Sequence, residues 1–334
     1  MAKLEPNAPL QGPIKIGTRA SPLAMAQAEQ VRDWLAALPA FSNCTITLVS
    51  LSTRGDQILD KPLAELGGKG LFTAELDQGL RSGEIDLAVH SLKDLPTETN
   101  DDLVTIAAIP EREDPRDALI YANKPDILNA SDPLQCLPHG AKIGTASLRR
   151  KAQLLALRPD LDVQTLRGNV GTRLHKLKTQ GFHATLLACA GLNRLGQADE
   201  IHIQLAASLL MPAAGQGALA IECLANRPTL RDALSHIHHP QTALCVAAER
   251  SYLNALDGSC RTPIAAMASL QEGAITLSGR VLFEDGSDMA EITLRHELSA
   301  DPSHAMDQAK QLGRDAADDI RAKAPKLVEQ LSKG

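Results

Sequence analysis

From Ile14 to about Pro110 the chain alternates short apolar runs with amphipathic stretches, the pattern of βα units covering a largely parallel sheet. IKIG is the first predicted strand, and it leads directly into a helix. Ser21 supplies the N-cap and Pro22 the first-turn proline, and Leu23, Val31, Trp34, Leu35 and Leu38 form the apolar stripe. TITLVSL (Thr45 to Leu51) reads as the next strand. A polar, glycine-rich stretch from Thr53 to Gly70 follows, long enough for a mobile loop over a site. A helix is predicted within LFTAELDQGL. DLAVH (Asp86 to His90) then has the near-continuous apolar character of a strand covered on both faces.

A second series with the same grammar begins near Asp117, with strands at DALIY, AKIGT, DVQTL and ATLLAC and helices after Ser147 and Asn169. MPAAGQGALAIE (Met211 to Glu222) offers glycine-punctuated turns and a strand that returns to the first sheet, which makes the first domain discontinuous. Beyond about Pro240 the pattern changes to a helix (Thr242 to Leu256), three strands with a hairpin turn at EDGSD, and a final helix. That helix carries the stripe Ala305, Ala309, Leu312, Ala316 and Ile320, so this segment reads as a small α+β domain. The predicted division is residues 1–112 with 216–238 as a first α/β lobe, 113–215 as a second, and 239–334 as the C-terminal α+β domain. A chain of 334 residues with 44% hydrophobic content is long enough for two or three cores.

Charge and composition narrow the function. Lys and Arg number 34 against 40 Asp and Glu, a net charge of -6, so no global positive field favours a polyanion. One Trp, two Tyr and four Phe leave few stacking platforms, and nucleic acid is set aside. No run of about 18 apolar residues marks a membrane span. The opening MAKLEPNAPLQGP has no h-region, so a cytoplasmic location is expected. Six widely spaced cysteines without a C-x-x-C pair fit reduced thiols. His236, His238 and His239 form a cluster with no further zinc ligands in view, which reads as a solvent-exposed linker. GGKG (Gly67 to Gly70) does not match the Walker pattern, and an NTPase is rejected.

Arginines stand where helices begin. A helix N-terminus carries partial positive charge, so a cation there is unfavourable unless an anion comes with it. Arg19 precedes the Ser21-Pro22 cap, Arg149 and Arg150 open the helix after Ser147, Arg167 precedes the helix at Asn169, and Arg173 lies in its first turns. All sit at strand-to-helix junctions, the edge where open α/β sheets bind ligands. One reading is a cleft lined by guanidinium forks for a ligand with several carboxylates or phosphates. The other is that single arginines are solvated or pair with nearby acids. Lys93 and Asp94 follow DLAVH, which places a carboxylate at the same kind of edge, suited either to acid/base work or to a structural turn pair. Cys260, in the polar loop LDGSCRTP and followed by an arginine, is better placed for thiolate chemistry than Cys189 or Cys223 in apolar runs.

The strings IGTRASPLAMAQA, STRGD, GGKGLFTAEL, AVHSLKDLPT, IGTASLRRKAQL, LRGNVGTRLHKL, AGLNRLG, PAAGQGALAIE and LDGSCRTPI, which span Ile14 to Ile264, resemble the motifs of the porphobilinogen deaminase (hydroxymethylbilane synthase) family in the family's order. The resemblance implies two α/β lobes like those of periplasmic binding proteins, plus a third domain that carries the cofactor cysteine. It implies a dipyrromethane cofactor in thioether linkage to Cys260, head-to-tail addition of four porphobilinogen molecules with loss of ammonia, and release of 1-hydroxymethylbilane for tetrapyrrole biosynthesis. Carried over by motif, Asp94 is the catalytic carboxylate. Lys93, Asp94, Thr145, Ser147, Arg149, Arg150 and Arg173 hold the cofactor, and Arg19, Ser21, Lys69, Arg149, Arg150, Arg167, Arg173 and Arg194 bind substrate carboxylates. The resemblance also implies a monomer needing neither metal nor nucleotide. Two departures from the family pattern are Ser259 before the cysteine, where many members have glycine, and Ala146, where many have serine. Two rival classes remain on the residues alone: an anion-binding module of the same two-lobed form, in which Cys260 has no role, and another cysteine-dependent transferase, for which no histidine motif stands near Cys260.

Overall fold

The structure, a computed structural model, describes residues 10–52, 73–97, 102–125, 132–258 and 262–331. The first stretch forms β1 (Gly12–Arg19), α1 (Pro22–Ala36), β2 (Cys44–Leu51), α2 (Ala74–Ser82), β3 (Leu87–Ser91) and β4 (Val104–Ala108). The second forms β5 (Asp117–Tyr121), β6 (Lys142–Gly144), α3 (Leu148–Leu157), β7 (Asp162–Gln164), α4 (Val170–Thr179), β8 (Ala184–Ala188), α5 (Cys189–Arg194) and β9 (Ile203–Gln204). Then come β10 (Leu219–Leu224), α6 (Pro228–Ser235), α7 (Pro240–Ala255), β11 (Ile264–Gln271), β12 (Ala274–Leu282), β13 (Met289–Glu297), α8 (Pro302–Lys323) and α9 (Pro325–Leu331). The chain divides into two compact units, Met1–Arg112 with Ala218–Thr242 and Glu113–Gly217 with Ala243–Gly334.

Each unit holds a five-stranded sheet, ordered β2-β1-β3-β10-β4 in one and β7-β6-β8-β5-β9 in the other. The plan is the same twice. Three parallel strands run in the order second, first, third, and an antiparallel strand from elsewhere in the sequence follows, β10 in one sheet and β5 in the other. The predicted return of Leu219–Leu224 to the first sheet is thus observed, with Ala220 opposite His90 and Glu222 opposite Ala88. In such sheets the carboxyl ends of the central parallel strands form the ligand edge. Those ends carry Arg19 as the last residue of β1, Lys93 and Asp94 after β3, and Thr145 to Arg150 after β6.

Side-chain alternation sorts the cores. On the first sheet, Ile14, Ile16, Leu87, Val89, Leu219 and Ile221 face Val31 and Leu35 of α1 and Leu230 and Leu234 of α6. The opposite face packs Ala88 under Leu76 and Leu80 of α2. The second sheet buries Leu119, Ile143 and Leu186 against Leu154 of α3, and Ala118, Ile120 and Leu187 against Val170, Leu174 and Leu177 of α4. Both sheets are therefore covered twice, which is why their strands read as continuous apolar runs. The antiparallel sheet β11-β12-β13 contributes Ile264, Ala266, Ile275, Leu277 and Val281 to a core with Ala248 and Tyr252 of α7. The predicted stripe Ala305, Ala309, Leu312, Ala316 and Ile320 of α8 is buried in the same core.

Three local expectations change. Cys189 opens α5 instead of ending a strand, and β8 stops at Ala188. The histidine cluster is not a solvent-exposed linker, because His238 and His239 are partly buried and tie the chain down. The His238 Nδ1 accepts the Ile109 N–H at 3.1 Å, and the His239 Nδ1 lies 2.8 Å from the Thr242 hydroxyl. The elements β4, β9, α6 and α9, none longer than eight residues, offer windows too short for a periodic signal to be read from the sequence. The stretch from Thr53 to Gly70 and the loop at Cys260 lie outside the described residues.

The second unit has a charged centre. Asp117, the first residue of β5, has no exposed surface, and its two carboxylate oxygens accept from Arg149 Nη2 at 2.8 Å and Arg150 Nη2 at 2.7 Å. Gln216 Nε2 adds a third bond at 2.9 Å. Burial alone would raise this carboxyl, but the two guanidiniums and the hydrogen bonds outweigh it and hold it well below the usual carboxylate range. The cluster joins β5, α3 and the turn at Gly215–Gly217. At that turn Gly217 has φ +90°, and a Cβ there would stand 2.3 Å from the Glu113 carbonyl oxygen.

Three stability outcomes follow from the geometry of this unit. Gly217→Ala is expected to lose about 2–3 kcal/mol, since both the positive φ and the Glu113 backbone oppose it. Gly171→Ala, inside α4 where an added Cβ would meet Asn169 Oδ1 at an ordinary 3.7 Å, is expected to be neutral or to gain up to about 1 kcal/mol. Asp117→Asn, which leaves two buried guanidiniums without a carboxylate, is expected to lose about 3–5 kcal/mol at neutral pH. A depressed carboxyl stabilises the fold above its unfolded value of about 3.9 and ceases to do so as pH falls toward the folded value. The gap between wild type and Asp117→Asn is therefore expected to be constant above about pH 5 and to narrow between about pH 4 and pH 2. Urea midpoints followed by circular dichroism check all three variants, and a gap independent of pH down to about 2 would contradict the assignment.

Candidate active site

In the second unit the helix starts are built as the sequence predicts. Ser147 caps α3, its Oγ accepting the Arg150 N–H at 3.4 Å, and Thr145 Oγ1 accepts the Ser147 N–H at 3.2 Å. Asn169 caps α4 through the Thr172 N–H at 2.8 Å, after Gly168 has turned the chain at φ +125°. Arg149 and Arg150 therefore stand in the first turn of α3, where the helix dipole opposes them. Asp117 supplies the compensating charge. It is an acid remote in sequence, and it makes the pairing reading correct for these two residues in part.

The compensation is incomplete. Arg149 is fully engaged, with Nη1 donating to the Met211 carbonyl at 2.5 Å and Nη2 to Asp117. Arg150 also donates Nη1 to the Leu186 carbonyl at 2.8 Å, but its Nε is buried with no hydrogen-bond partner among the described residues. Arg173, on α4, has a buried Nε in the same condition and no ion pair among the described residues. Burial, and after it the charge of Arg150, brings the Arg173 guanidinium down to about 10. Two guanidiniums share one carboxylate and a third has none, so the cluster holds positive charge that a carboxylate-bearing ligand would neutralise.

Arg194, at the end of α5, donates Nη2 to the Gly217 carbonyl at 2.8 Å. Burial lowers it to about 10 against the opposing pull of the Glu113 carboxylate. Arg167 is half-buried ahead of α4, and its carbonyl accepts from Lys176 Nζ at 3.1 Å. Cys189 is an inert thiol, pushed up to about 12 chiefly by burial.

In the first unit β3 ends at Ser91, and Leu92–Asp94 form a single 3-10 turn that leaves Lys93 half-buried and Asp94 exposed. Arg19, Gln27, Ser91 and Asp94 line one pocket of about 20 Å³, room for a group the size of a water molecule or a carboxylate oxygen. Gln27 is buried on α1 and donates Nε2 to the Ser91 hydroxyl at 2.8 Å, while Ser21 caps the same helix through the Ala24 N–H at 3.3 Å. The structure thus brings Arg19 to Asp94 in this unit, and Thr145, Ser147, Arg149, Arg150 and Arg173 together in the other. Lys69 and Cys260 lie outside the described residues.

Sequence reading missed Asp117, Gln153, Gln216, Gln27 and Ser91. Asp117 had a signal, an acidic residue heading an otherwise apolar strand. The others have none that a single sequence displays, because their roles depend on partners far along the chain.

Comparison with known proteins completes the picture. A family model described as "Porphobilinogen deaminase, dipyromethane cofactor binding domain" matches residues 14–232, and one for the porphobilinogen deaminase C-terminal domain matches 243–322. The porphobilinogen deaminase of Chromobacterium violaceum is 48% identical over 304 residues, covering 91% of this chain and 93% of its own. The chloroplastic porphobilinogen deaminase of Oryza sativa subsp. japonica is 45% identical over 314 residues, covering 93% and 84%. Among solved structures, a probable amino-acid ABC transporter extracellular-binding protein from Bacillus subtilis is similar at TM-score 0.38 and 11% identity, over 68% of this chain and 90% of that one. With both family models matched in order and relatives near half identity along almost the whole length, the chain belongs to the porphobilinogen deaminase family.

Proposed function

We propose that Arg150 and Arg173, with Arg149, Thr145, Ser147, Lys93 and Asp94, hold the dipyrromethane cofactor of this deaminase, and that Cys260 carries its thioether. Charge supports this reading: a guanidinium without a counter-ion among the described residues, beside a pair that shares one carboxylate, fits a group rich in acetate and propionate. When bound, the dipyrromethane supplies the nucleophilic pyrrole carbon to which the first porphobilinogen is joined.

The family's reaction is the head-to-tail polymerisation of porphobilinogen with loss of ammonia, which gives 1-hydroxymethylbilane for tetrapyrrole biosynthesis. Asp94 is the catalytic carboxylate. Loss of ammonia from the substrate's aminomethyl group leaves a cation conjugated with the pyrrole nitrogen, and a fixed carboxylate stabilises that charge and takes up or returns the N–H proton. Arg19 lines the same pocket and is suited to a substrate carboxylate. Ser21, Lys69, Arg167 and Arg194 complete the substrate-binding set, with Arg149, Arg150 and Arg173 shared between cofactor and substrate. A division at 1–112 with 216–238, 113–215 and 239–334, a monomeric state and a cytoplasmic location complete the proposal. Among the described residues no helix is long and apolar enough to cross a membrane.

Intact mass of the denatured, purified protein is expected to exceed the chain mass by two linked pyrrole units, an excess that disappears in Cys260→Ala; an active, unmodified wild type would sink the covalent anchor. Asp94→Ala is expected to lower kcat for bilane formation by about 100-fold or more, and near-normal turnover would remove Asp94 from its role. Arg173→Met in the Cys260→Ala background is expected to raise the urea midpoint, because it deletes a buried, uncompensated charge. In the Cys260-containing chain the same substitution is expected to slow primer attachment, followed by mass. A lower midpoint together with normal attachment would show that Arg173 is structural.

A further inference from the structure

Gln153 lies one turn after Arg149 on α3 and is buried. Its amide grips the Met211 peptide on both sides, with Oε1 accepting the Met211 N–H at 2.8 Å and Nε2 donating to the Met211 carbonyl at 3.0 Å. The same carbonyl receives Arg149 Nη1 at 2.5 Å. One end of the Arg149 fork is thus fixed by Asp117, and the other by a carbonyl whose direction Gln153 sets.

Gln153 is held in turn from the C-terminal sheet. Arg280 on β12 donates Nη1 to Gln153 Oε1 at 2.5 Å and to the Leu209 carbonyl at 3.2 Å, and Nη2 to the Ser208 carbonyl at 2.9 Å. Its Nε meets the Glu291 carboxylate. The Arg280 side chain is 8% exposed while Glu291 is 45% exposed, so a buried guanidinium faces a well-solvated partner. Such an arrangement adds little net stability beside an apolar packing of the same volume. What a planar fork adds is direction. Here the direction runs through Gln153 to Arg149.

We propose that Arg280 and Gln153 are positioning residues for Arg149, and that through them the C-terminal sheet sets the geometry of the arginine cluster that serves the growing oligomer. Arg280 pairs with Ala265 across β11 and β12, and β11 begins at Ile264, shortly after Cys260 in the sequence. The strand that leads out of the cysteine segment and the Asp117 cluster are joined by one chain of hydrogen bonds. The inference rests on Arg149 serving the cofactor and substrate as proposed above.

A double-mutant cycle on the holoenzyme tests it. Arg280→Met, or Arg280→Lys where the methionine chain does not accumulate, is combined with Arg149→Gln, and kcat/KM for porphobilinogen and the urea midpoint are measured for each. The expected result is about a ten-fold loss of kcat/KM for the Arg280 variant with Arg149 present and less than about two-fold with Arg149→Gln, while the midpoint shift stays the same in both backgrounds. Gln153→Leu is expected to show the same dependence on Arg149. An Arg280 variant with unchanged kcat/KM, or losses that multiply undiminished across both backgrounds, would overturn the proposal. Arg149→Gln with full kcat/KM is a separate failure, since it would remove Arg149 itself from the machinery and the relay with it.

Discussion

A single buried carboxylate under two guanidiniums organises the second unit. Asp117 has no exposed surface, and alone it could not remain ionised there. Arg149 and Arg150 could not open a helix alone either, with the dipole against them. Each charge makes the others tolerable, so strand β5, helix α3 and the Gly215–Gly217 turn must arrive together. Gln216 and Gln153 close the cluster by bonding the carboxylate and the Met211 peptide that the guanidiniums leave exposed to competition. Removing any one partner strands a buried charge or a buried peptide group, which is why such networks tolerate little revision.

The repeated strand order gives this cluster its place. In both sheets the central parallel strands end on one edge, and the strand end or the turn that follows carries the polar residues: Arg19 at the end of β1, Lys93 and Asp94 after β3, Thr145 to Arg150 after β6. The first unit uses that edge for a carboxylate and an arginine around a small pocket, and the second for a surplus of positive charge. On the proposed reading, one topology supplies a site for acid/base chemistry and a site for anion binding, and the difference lies in a few side chains at equivalent strand ends.

The sequence displayed much of this. Period-two and apolar-run patterns located β1, β2, β3, β5 and β8 within a residue or two, because strands covered on both faces leave an unmistakable run. Ser21, Ser147 and Asn169 were legible as caps because a cap is a local event. The arginines were legible through a local contradiction, a cation at a positive helix end. Asp117 showed only as an acid heading an apolar strand, and its meaning stayed hidden because it depends on Arg149 and Arg150, which lie more than thirty residues further along the chain. Gln153, Met211 and Arg280 were more deeply hidden, because a glutamine in an amphipathic helix and an arginine in a strand look like solvated surface until the fold buries them. The histidines misled for the same reason: a polar cluster suggested solvent, and the fold used two of its rings to hold the Ile109 and Thr242 segments.

If Arg149 and Arg173 serve the cofactor as proposed, they illustrate two ways of holding a cation for an anionic ligand. Arg149 has both ends of its fork committed to protein, so it contributes a fixed charge that no ligand needs to reorganise, and its field is available at no further loss of side-chain entropy. Arg173 has no ion pair among the described residues and is brought down to about 10 by burial and by Arg150, so an incoming carboxylate would both gain a hydrogen-bonded partner and relieve an existing repulsion. An oligomer that grows by acetate- and propionate-bearing units presents the same groups again at each addition. A site that bound them through flexible, fully solvated lysines would have to order those side chains at every step. A fixed pair beside one guanidinium that has no ion pair among the described residues would avoid that.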